Sequence, residues 1–250
     1  MNIIEVRNLS HRSVDGKLIL DNINLTFKEA EFVVVAGPNG SGKSTFFKHL
    51  NGLLTPSKGS VLIDGVAVAD DVKRARKMVG MIFQDADSQI VGETVYDDAA
   101  FGPENLGVSP GKVRELVDST LEIVGLSHLR DLPPHLLSGG EKRRLAIAGV
   151  LAMTPKVLVF DEPFSNLDYA GIKQVLAQMA ALQRNGRTLV VSTHNLETVA
   201  GMAVRLILMQ AGRVVKDGSF DEMLHSVEDF GIRMPEAIRF GMQIQPWLTR

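Results

Sequence analysis

The sequence predicts an α/β protein, and the placement of its apolar runs is the main reason. Short uninterrupted apolar runs at Phe32–Ala36 and Val157–Phe160 are typical of parallel strands buried on both faces. Each run leads through a polar loop into residues with apolar side chains at helical spacing. From about Asp85 to Ala152 the pattern is helical instead. We therefore expect an α/β core with a helical subdomain inserted into it.

A glycine-rich turn follows the first buried strand. Residues 37–45 read Gly-Pro-Asn-Gly-Ser-Gly-Lys-Ser-Thr and match G-x-x-x-x-G-K-[ST], with a strand before and a helix after. The backbone N–H groups of such a turn surround a phosphate, and the helix N-terminus adds partial positive charge. Lys43 is expected to reach the β- and γ-phosphates of a nucleotide, and Ser44 to ligate Mg²⁺. The predicted phosphate-binding residues are Asn39, Gly40, Ser41, Gly42, Lys43, Ser44 and Thr45.

Two carboxylates end the second buried strand. Asp161 stands at the carboxyl end of this strand, where an oxygen ligand for Mg²⁺ is expected in a P-loop nucleoside triphosphatase. Glu162 comes one residue later and points in a different direction. It is therefore the candidate general base that polarises the attacking water.

Further segments complete the predicted organisation. Strand patterns at Ile3–Leu9, Leu18–Phe27 and Val61–Ile63 exceed what a nucleotide core needs, so we expect an antiparallel β layer beside it. One helix is expected to follow Thr94 and run through Phe101, and another is expected to follow Ser109. The predicted divisions are a core of residues 1–84 and 153–225, a helical subdomain of 85–152, and a C-terminal extension of 226–250.

Composition narrows the classes of function. Charge is balanced, with 27 basic and 29 acidic residues, so we expect no non-specific binding to nucleic acid. Cys is absent, which excludes disulfides and thiolate metal sites. We see no signal peptide and no apolar run near the roughly 18 residues that span a bilayer. A soluble protein is expected, and any role at a membrane must come through a partner.

A third sequence motif indicates the family. Residues 137–144 read Leu-Ser-Gly-Gly-Glu-Lys-Arg-Arg and resemble the signature sequence of ABC-type ATPases. Small residues at a helix N-terminus form an anion seat, here Ser138, Gly139 and Gly140. Because the P-loop already holds one nucleotide, this seat is free to bind the γ-phosphate of a nucleotide on another subunit. The resemblance therefore implies a head-to-tail dimer, either a homodimer or a heterodimer with a related ATPase, closed on two ATP molecules with Mg²⁺.

The resemblance implies roles for three further residues. Gln84 resembles the glutamine that senses Mg²⁺ and the nucleophilic water. Asp168 ends a segment, Ser165–Asp168, that resembles the loop crossing to the partner's site. His194 resembles the switch histidine that contacts the γ-phosphate. The implied catalytic set is Glu162, His194, Gln84 and Lys43, and the implied metal set is Ser44, Gln84 and Asp161.

A narrower resemblance follows Gln84. Residues 85–91 and 97–107, the latter containing Phe-Gly-Pro-Glu-Asn, are similar to ATPases of energy-coupling-factor transporters, which import vitamins or cobalt and nickel ions. In that family Gln89 would belong to a short helix facing a transmembrane coupling protein. The implied assembly is a peripheral ATPase at the cytoplasmic face of the membrane, with a coupling protein and a substrate-binding membrane subunit. The transported solute is not indicated.

The sequence leaves the function and the adenine contact open. A soluble ABC ATPase acting on nucleic acid or ribosomes is the alternative function, although the chain has one cassette and no basic patch. The family usually stacks an aromatic residue near the N-terminus on the adenine, whereas Ser13 stands at that position. His11 or Arg12 is then a candidate for stacking, or the base is held weakly.

Overall fold

The computed structural model describes residues 1–248, which form two sheets and a group of helices. The strands are β1 (Asn2–Arg12), β2 (Leu18–Lys28), β3 (Phe32–Ala36), β4 (Lys58–Ile63), β5 (Val66–Ala67), β6 (Val79–Ile82), β7 (Val157–Asp161), β8 (Thr188–Ser192), β9 (Arg205–Gln210) and β10 (Arg213–Ser219). The helices are α1 (Lys43–Leu50), α2 (Val72–Met78), α3 (Val95–Asn105), α4 (Pro110–Ile123), α5 (Gly139–Ala152), α6 (Tyr169–Arg184), α7 (Leu196–Val199), α8 (Phe220–Met223) and α9 (Glu236–Arg239).

The central sheet has six strands in the order β10-β9-β3-β8-β7-β6. All neighbouring pairs are parallel except β9 with β10, which is antiparallel at the edge. Every residue of β3, β7 and β8 is buried, as expected for strands covered on both faces. The segments that follow β3, β6, β7 and β8 therefore emerge at the same edge of the sheet.

A second sheet packs beside the first, with α1 between the two. It has four antiparallel strands in the order β2-β1-β4-β5. One apolar cluster joins Phe27 of this sheet, Phe46 and Phe47 of α1, and Val33 and Val35 of the central sheet. Because α1 begins directly after the glycine-rich turn, its packing between the sheets holds that turn in place.

Helices α3, α4 and α5 pack on one another and on the other face of the central sheet. Thr94 and Ser138 begin α3 and α5 with reciprocal capping boxes, and Pro110 stands at the start of α4. These signals are local, which explains why the starts of these helices were visible in the sequence. Within residues 1–248, no helix has the length and apolarity required to span a membrane.

The predicted fold class is confirmed, and the differences lie in exposed elements. Strand β10 and helix α2 were not predicted, because β10 is mostly exposed and only Ala75 of α2 is buried. Neither element therefore has an apolar pattern to recognise. Helix α3 continues beyond Phe101 to Asn105, since Pro103 lies in its last turn and interrupts little of the helix.

Residues after Ser219 fold back onto the core. Phe220, Leu224, Val227 and Ile232 are buried in the main apolar cluster, with α8 and a 3₁₀ helix at Leu224–Phe230 among them. Short helix α9 follows at Glu236. The predicted C-terminal extension runs to residue 250, and its last two residues lie outside the described part of the chain.

Replacing Gly80 by Ala should destabilise the protein by about 1–3 kcal/mol, the usual cost of overpacking a core. A Cβ atom at Gly80 of β6 would lie 2.3 Å from Val150 Cγ1 of α5, at the contact between the sheet and the helices. Denaturant unfolding measured by circular dichroism gives the change in free energy. The matched control is Gly111→Ala in α4, where a Cβ meets nothing within 4 Å, so stability should stay the same or rise. Equal stability of both variants would contradict this packing.

Candidate functional site

A cavity of ≈ 730 Å³ lies at the carboxyl edge of the central sheet. Its walls come from the loops after β3, β6, β7 and β8 and from a segment near the C-terminus. The residues that line it are Gly37, Pro38, Asn39, Gly40, Ser41, Gly42, Lys43, Ser44, Gln84, Asp161, Glu162, Ser165, His194, Gly231, Ile232 and Arg233.

The glycine-rich turn forms the floor of this cavity and leaves no room for side chains at two of its positions. Gly42 has φ 101°, and a Cβ there would lie 2.7 Å from Leu20 Cδ2. At Gly37 a Cβ would lie 2.2 Å from the backbone oxygen of Met209. These glycines are therefore required for the close approach of the turn to its neighbours, and the turn leads directly into α1.

Lys43 points back into the turn. Its Nζ donates to the backbone oxygens of Gly37 at 2.7 Å and Pro38 at 3.3 Å. Burial lowers the pKa of Lys43, while the nearby carboxylates of Glu162 and Asp161 act in the opposite direction. The cation is thus held at the phosphate turn by backbone oxygens and faces both acidic groups.

One buried hydroxyl binds both the Asp161 carboxylate and the Glu162 backbone. Ser192 Oγ, at the end of β8, donates to Asp161 Oδ1 at 2.7 Å and accepts from the backbone N–H of Glu162 at 2.8 Å. Glu162 has φ 47°, in the left-handed region that non-glycine residues rarely adopt. The sharp turn follows the buried Asp161 directly, and both Asp161 and Glu162 line the cavity. Strained backbone of this kind is often found at functional sites.

His194 lies against Glu162. The distance from His194 Nδ1 to Glu162 Oε2 is 3.0 Å, within hydrogen-bond reach. The imidazole is largely exposed at the mouth of the cavity, whereas the glutamate side chain is mostly buried. The geometry therefore places an orienting group beside the candidate base.

Arg143 belongs to the signature sequence, and the sequence alone predicted no role for it. It is buried on α5, and its Nη1 and Nη2 donate at 2.5 Å to the backbone oxygens of Phe83 and Gln84. Lys142 adds an ion pair at 2.5 Å with Asp87. The start of α5 is thus tied to the segment that carries Gln84. The available signal was a basic residue on the apolar face of the helix.

Some predicted site residues lie elsewhere in the monomer. Ser138, Gly139 and Gly140 are on the surface at the start of α5, and Asp168 caps α6 by accepting from the Gly171 N–H at 2.8 Å. None of the four lines the cavity, and neither does Thr45. The Thr45 backbone oxygen instead contacts His49 Nδ1 at 2.8 Å. For the first four residues this position suits a role in the site of a second subunit.

Gln89 differs from its predicted setting. It lies in a turn rather than a short helix. Its side chain accepts from the Phe83 N–H at 3.0 Å and donates to the Met81 backbone oxygen at 3.2 Å. The amide therefore bonds to the backbone at the end of β6, which favours the turn over a helix. The link between Gln89 and the Gln84 segment is thus made by side-chain hydrogen bonds as well as by the chain.

Both candidates for adenine stacking make contacts within the protein, and so does Ser13. The His11 ring meets the His49 ring edge-on, with centroids 4.7 Å apart. Arg12 donates to the Gly16 backbone oxygen at 2.7 Å, and Ser13 donates to the Lys17 backbone oxygen at 3.1 Å. Stacking by His11 or Arg12 would require these contacts to change, so weak holding of the base is favoured.

The donors present fit a magnesium nucleotide. Ser41 Oγ is buried in the phosphate turn without a hydrogen-bond partner, so it is available to a phosphate oxygen. Ser44 and Asp161 offer a hydroxyl and a carboxylate, the oxygen donors that Mg²⁺ prefers. Residues 1–248 contain no group of three or more His, Cys, Asp or Glu that could hold a metal ion by itself. A site completed by substrate phosphates and water agrees with this small protein donor set.

Comparison of the chain with known protein families and curated proteins identifies its family. A family model described as ABC transporter matches residues 20–165, more than half of the chain, so the chain belongs to the ABC transporter family. It is an ATPase of that family, and its curated relatives are ATP-binding subunits of transporters. The prediction of an ABC ATPase is therefore confirmed.

Particular relatives refine this assignment. The energy-coupling factor transporter ATP-binding protein EcfA of Methanocaldococcus jannaschii is 42% identical over 94% of this chain and 86% of its own length. The cobalt import ATP-binding protein CbiO of Rhodobacter capsulatus is also 42% identical, over 96% of this chain and 88% of its own. The solved structure of CbiO1 from Clostridium perfringens, described as part of the CbiONQ transporter complex, matches with TM-score 0.82 and 34% identity. That match covers 96% of this chain and 98% of the other.

Replacing Glu162 by Gln should lower ATP turnover by roughly 10²–10⁴, because the amide keeps the shape but removes the base. ATP binding should survive, and the ATP-bound dimer should accumulate on size exclusion. Phosphate release measured at saturating ATP gives the turnover. Glu222→Gln, an exposed acid on α8, is the control and should behave as wild type. Unchanged turnover in the Glu162 variant would show that another group is the base.

The rate of GTP hydrolysis should be within about tenfold of the rate of ATP hydrolysis, a difference of about 1.4 kcal/mol, because position 13 is a serine and offers no aromatic ring. Ser13→Tyr should lower KM for both nucleotides, since stacking on a base contributes about 1–3 kcal/mol where it has been measured. Steady-state kinetics with both nucleotides test this. A strong preference for ATP in the wild type would mean that another residue recognises the base.

Proposed function

We propose that this protein is the ATP-hydrolysing subunit of an energy-coupling-factor importer, whose solute is a vitamin or a cobalt or nickel ion. The observation that carries the proposal is the meeting of Lys43, Asp161, Glu162 and His194 in one cavity of a chain so similar to EcfA and CbiO. The CbiO relatives support a metal-ion importer, and the EcfA relatives support the wider class. The proposal rests on these similarities and on the chemistry of the site.

Each side chain has a distinct role in the proposed reaction. The Lys43 cation neutralises part of the negative charge of the β- and γ-phosphates, and backbone N–H groups of residues 37–45 surround these phosphates. Ser44, Asp161 and Gln84 would hold Mg²⁺, which would neutralise charge at the phosphates when bound. Glu162 accepts the proton of the attacking water, and His194 orients the Glu162 carboxylate through their 3.0 Å contact and reaches the γ-phosphate.

A second ATPase subunit completes the site. The exposed start of α5 presents Ser138, Gly139 and Gly140 with helix N–H groups toward solvent. The Ser138 hydroxyl and N–H bond to Glu141, and these bonds lower the pKa of that carboxyl group. A head-to-tail dimer would bring this helix start over the phosphates bound by the partner, with Asp168 near the shared boundary. Two nucleotides would then bind between the subunits.

A groove between the core and the helical region is the proposed docking site for the transmembrane coupling protein. It has a volume of ≈ 610 Å³, and its exposed apolar side chains include Leu53, Val91 and Phe101. Met81, Phe83 and Gln89 also line it, so the groove adjoins the segment that carries Gln84. A short apolar segment of the coupling protein, seated here, would move with the nucleotide site. The subunit would then lie at the cytoplasmic face of the membrane, beside a substrate-binding membrane subunit.

The alternative of an ATPase acting on nucleic acid or ribosomes has less support. The chain has a formal net charge of −2, and the relatives that cover most of its length are transporter subunits. A nucleic-acid enzyme would need a concentrated basic surface.

Replacing Phe101 by Ser should impair assembly with the membrane subunits and solute uptake. ATPase activity of the isolated dimer should remain within about twofold, because Phe101 does not line the nucleotide cavity. Co-expression with the membrane subunits from the same genome, followed by affinity purification in detergent, measures assembly. Ile123→Ser on α4 is the matched control, since Ile123 is 52% exposed and Phe101 53%.

Lys43→Ala tests the catalytic half of the same proposal. This variant should assemble with the membrane subunits but fail to bind nucleotide or drive uptake, because the cation at the phosphates is gone. Normal assembly of the Phe101 variant, or normal nucleotide binding without Lys43, would contradict the corresponding half.

A further inference from the structure

The C-terminal segment contributes a cation to the wall of the nucleotide cavity. Arg233 lines it together with Gly231 and Ile232, although about forty residues separate this segment from His194. Arg233 also lines a smaller adjoining cavity with His194, Asn195 and Glu197. Since His194 contacts Glu162, Arg233 lies on the side of the cavity where the γ-phosphate is expected.

The backbone beside Arg233 is well anchored. The Ile232 side chain is buried in the main apolar cluster, and its N–H donates to the Val227 backbone oxygen at 3.2 Å. Pro235 is also buried, so buried residues flank Arg233 on both sides. The guanidinium itself is largely exposed. A fixed backbone with a long, accessible side chain lets the cation reach a ligand without displacing the segment.

The present partner of Arg233 is replaceable. Its Nη2 donates to Glu236, a local ion pair three residues apart in which both side chains are mostly exposed. Exposed pairs of this kind contribute little to stability. A phosphate offers the guanidinium a stronger, bidentate partner in a site that already contains two carboxylates.

We propose that Arg233 contacts the terminal phosphate of the bound nucleoside triphosphate, exchanging Glu236 for that phosphate, and so allows the site to distinguish ATP from ADP. The inference rests on the proposed ATP site. Loss of the terminal phosphate returns Arg233 to Glu236. The C-terminal segment thereby responds to which nucleotide is bound.

Binding of AMP-PNP, a triphosphate that resists hydrolysis, and of ADP to the purified protein with Mg²⁺ tests the inference. Arg233→Gln should weaken AMP-PNP binding roughly fivefold, a modest value for a charge-assisted contact by an exposed side chain, and change ADP binding less than twofold. Arg233→Lys should keep part of the discrimination. Glu236→Gln should leave AMP-PNP affinity unchanged or increase it, because the competing carboxylate is removed.

Arg239→Gln provides the matched control. Arg239 lies in the same segment and also pairs with an exposed glutamate, Glu228, but it does not line the nucleotide cavity. The Arg239→Gln variant should therefore bind both AMP-PNP and ADP as the wild type does. Thermal unfolding of all variants shows whether any of them has lost the native fold, and the Arg233→Lys variant keeps the test decisive if Arg233→Gln does not fold.

The outcomes separate this inference from the proposed function. Equal weakening of both nucleotides, or no weakening of AMP-PNP, in the Arg233→Gln variant overturns the inference. Wild-type affinity in Lys43→Ala would instead overturn the nucleotide site itself. If Lys43→Ala loses binding while Arg233→Gln binds normally, the proposed function stands and only the role of Arg233 is rejected.

Discussion

The site depends on four adjacent strands that run in the same direction. β3, β8, β7 and β6 are neighbours in the central sheet and all parallel. Strands in a sheet are about 4.8 Å apart, so the four loops at their carboxyl ends begin within roughly 15 Å of one another. Those loops carry the phosphate turn, His194, Glu162 and Gln84. Residues far apart in the sequence therefore meet at one edge of the sheet, because each one follows the end of a neighbouring strand.

Fine positioning comes from polar contacts between the ends of two of these strands. Ser192 fixes Asp161 and Glu162 at once because it ends the neighbouring strand in register, with Asp161 opposite Ser192. A hydroxyl buried with both of its bonds made is stable, whereas a residue without the hydroxyl would leave the Glu162 N–H and the Asp161 carboxylate without this partner. One small side chain thus holds the Asp161 carboxylate and the Glu162 backbone together.

The sequence was most informative where elements are buried and least informative at the edges. The run at Phe32–Ala36 was located without error and that at Val157–Phe160 to within one residue, because strands covered on both faces must be apolar throughout. Motif spacing likewise brought out the lining residues that follow buried strands, whereas Gly231, Ile232 and Arg233 of the cavity wall were missed. Exposed β10 left no such pattern.

Contacts between remote segments were beyond sequence reasoning. The Arg143 fork, the Ser192 bridge and the position of Arg233 each join residues that lie 30 or more positions from their partners. Arg143 lies on the apolar face of its helix and Ser192 ends a buried strand, but neither position shows which remote residue the side chain binds. The fold has to be known before such a side chain can be assigned a partner.

The same contacts bear on how a nucleotide site and a docking groove could communicate. The helix that begins at Ser138 carries Arg143 one turn later, and both guanidinium bonds reach the backbone at Phe83 and Gln84. Gln89 binds the same short stretch from the groove side. Breaking the buried Arg143 bonds would leave a desolvated cation, which is costly, so displacement of the helix start should carry the Gln84 segment with it. A movement imposed by a nucleotide at Ser138 would then reach Met81 and Phe83 in the groove as one rigid shift.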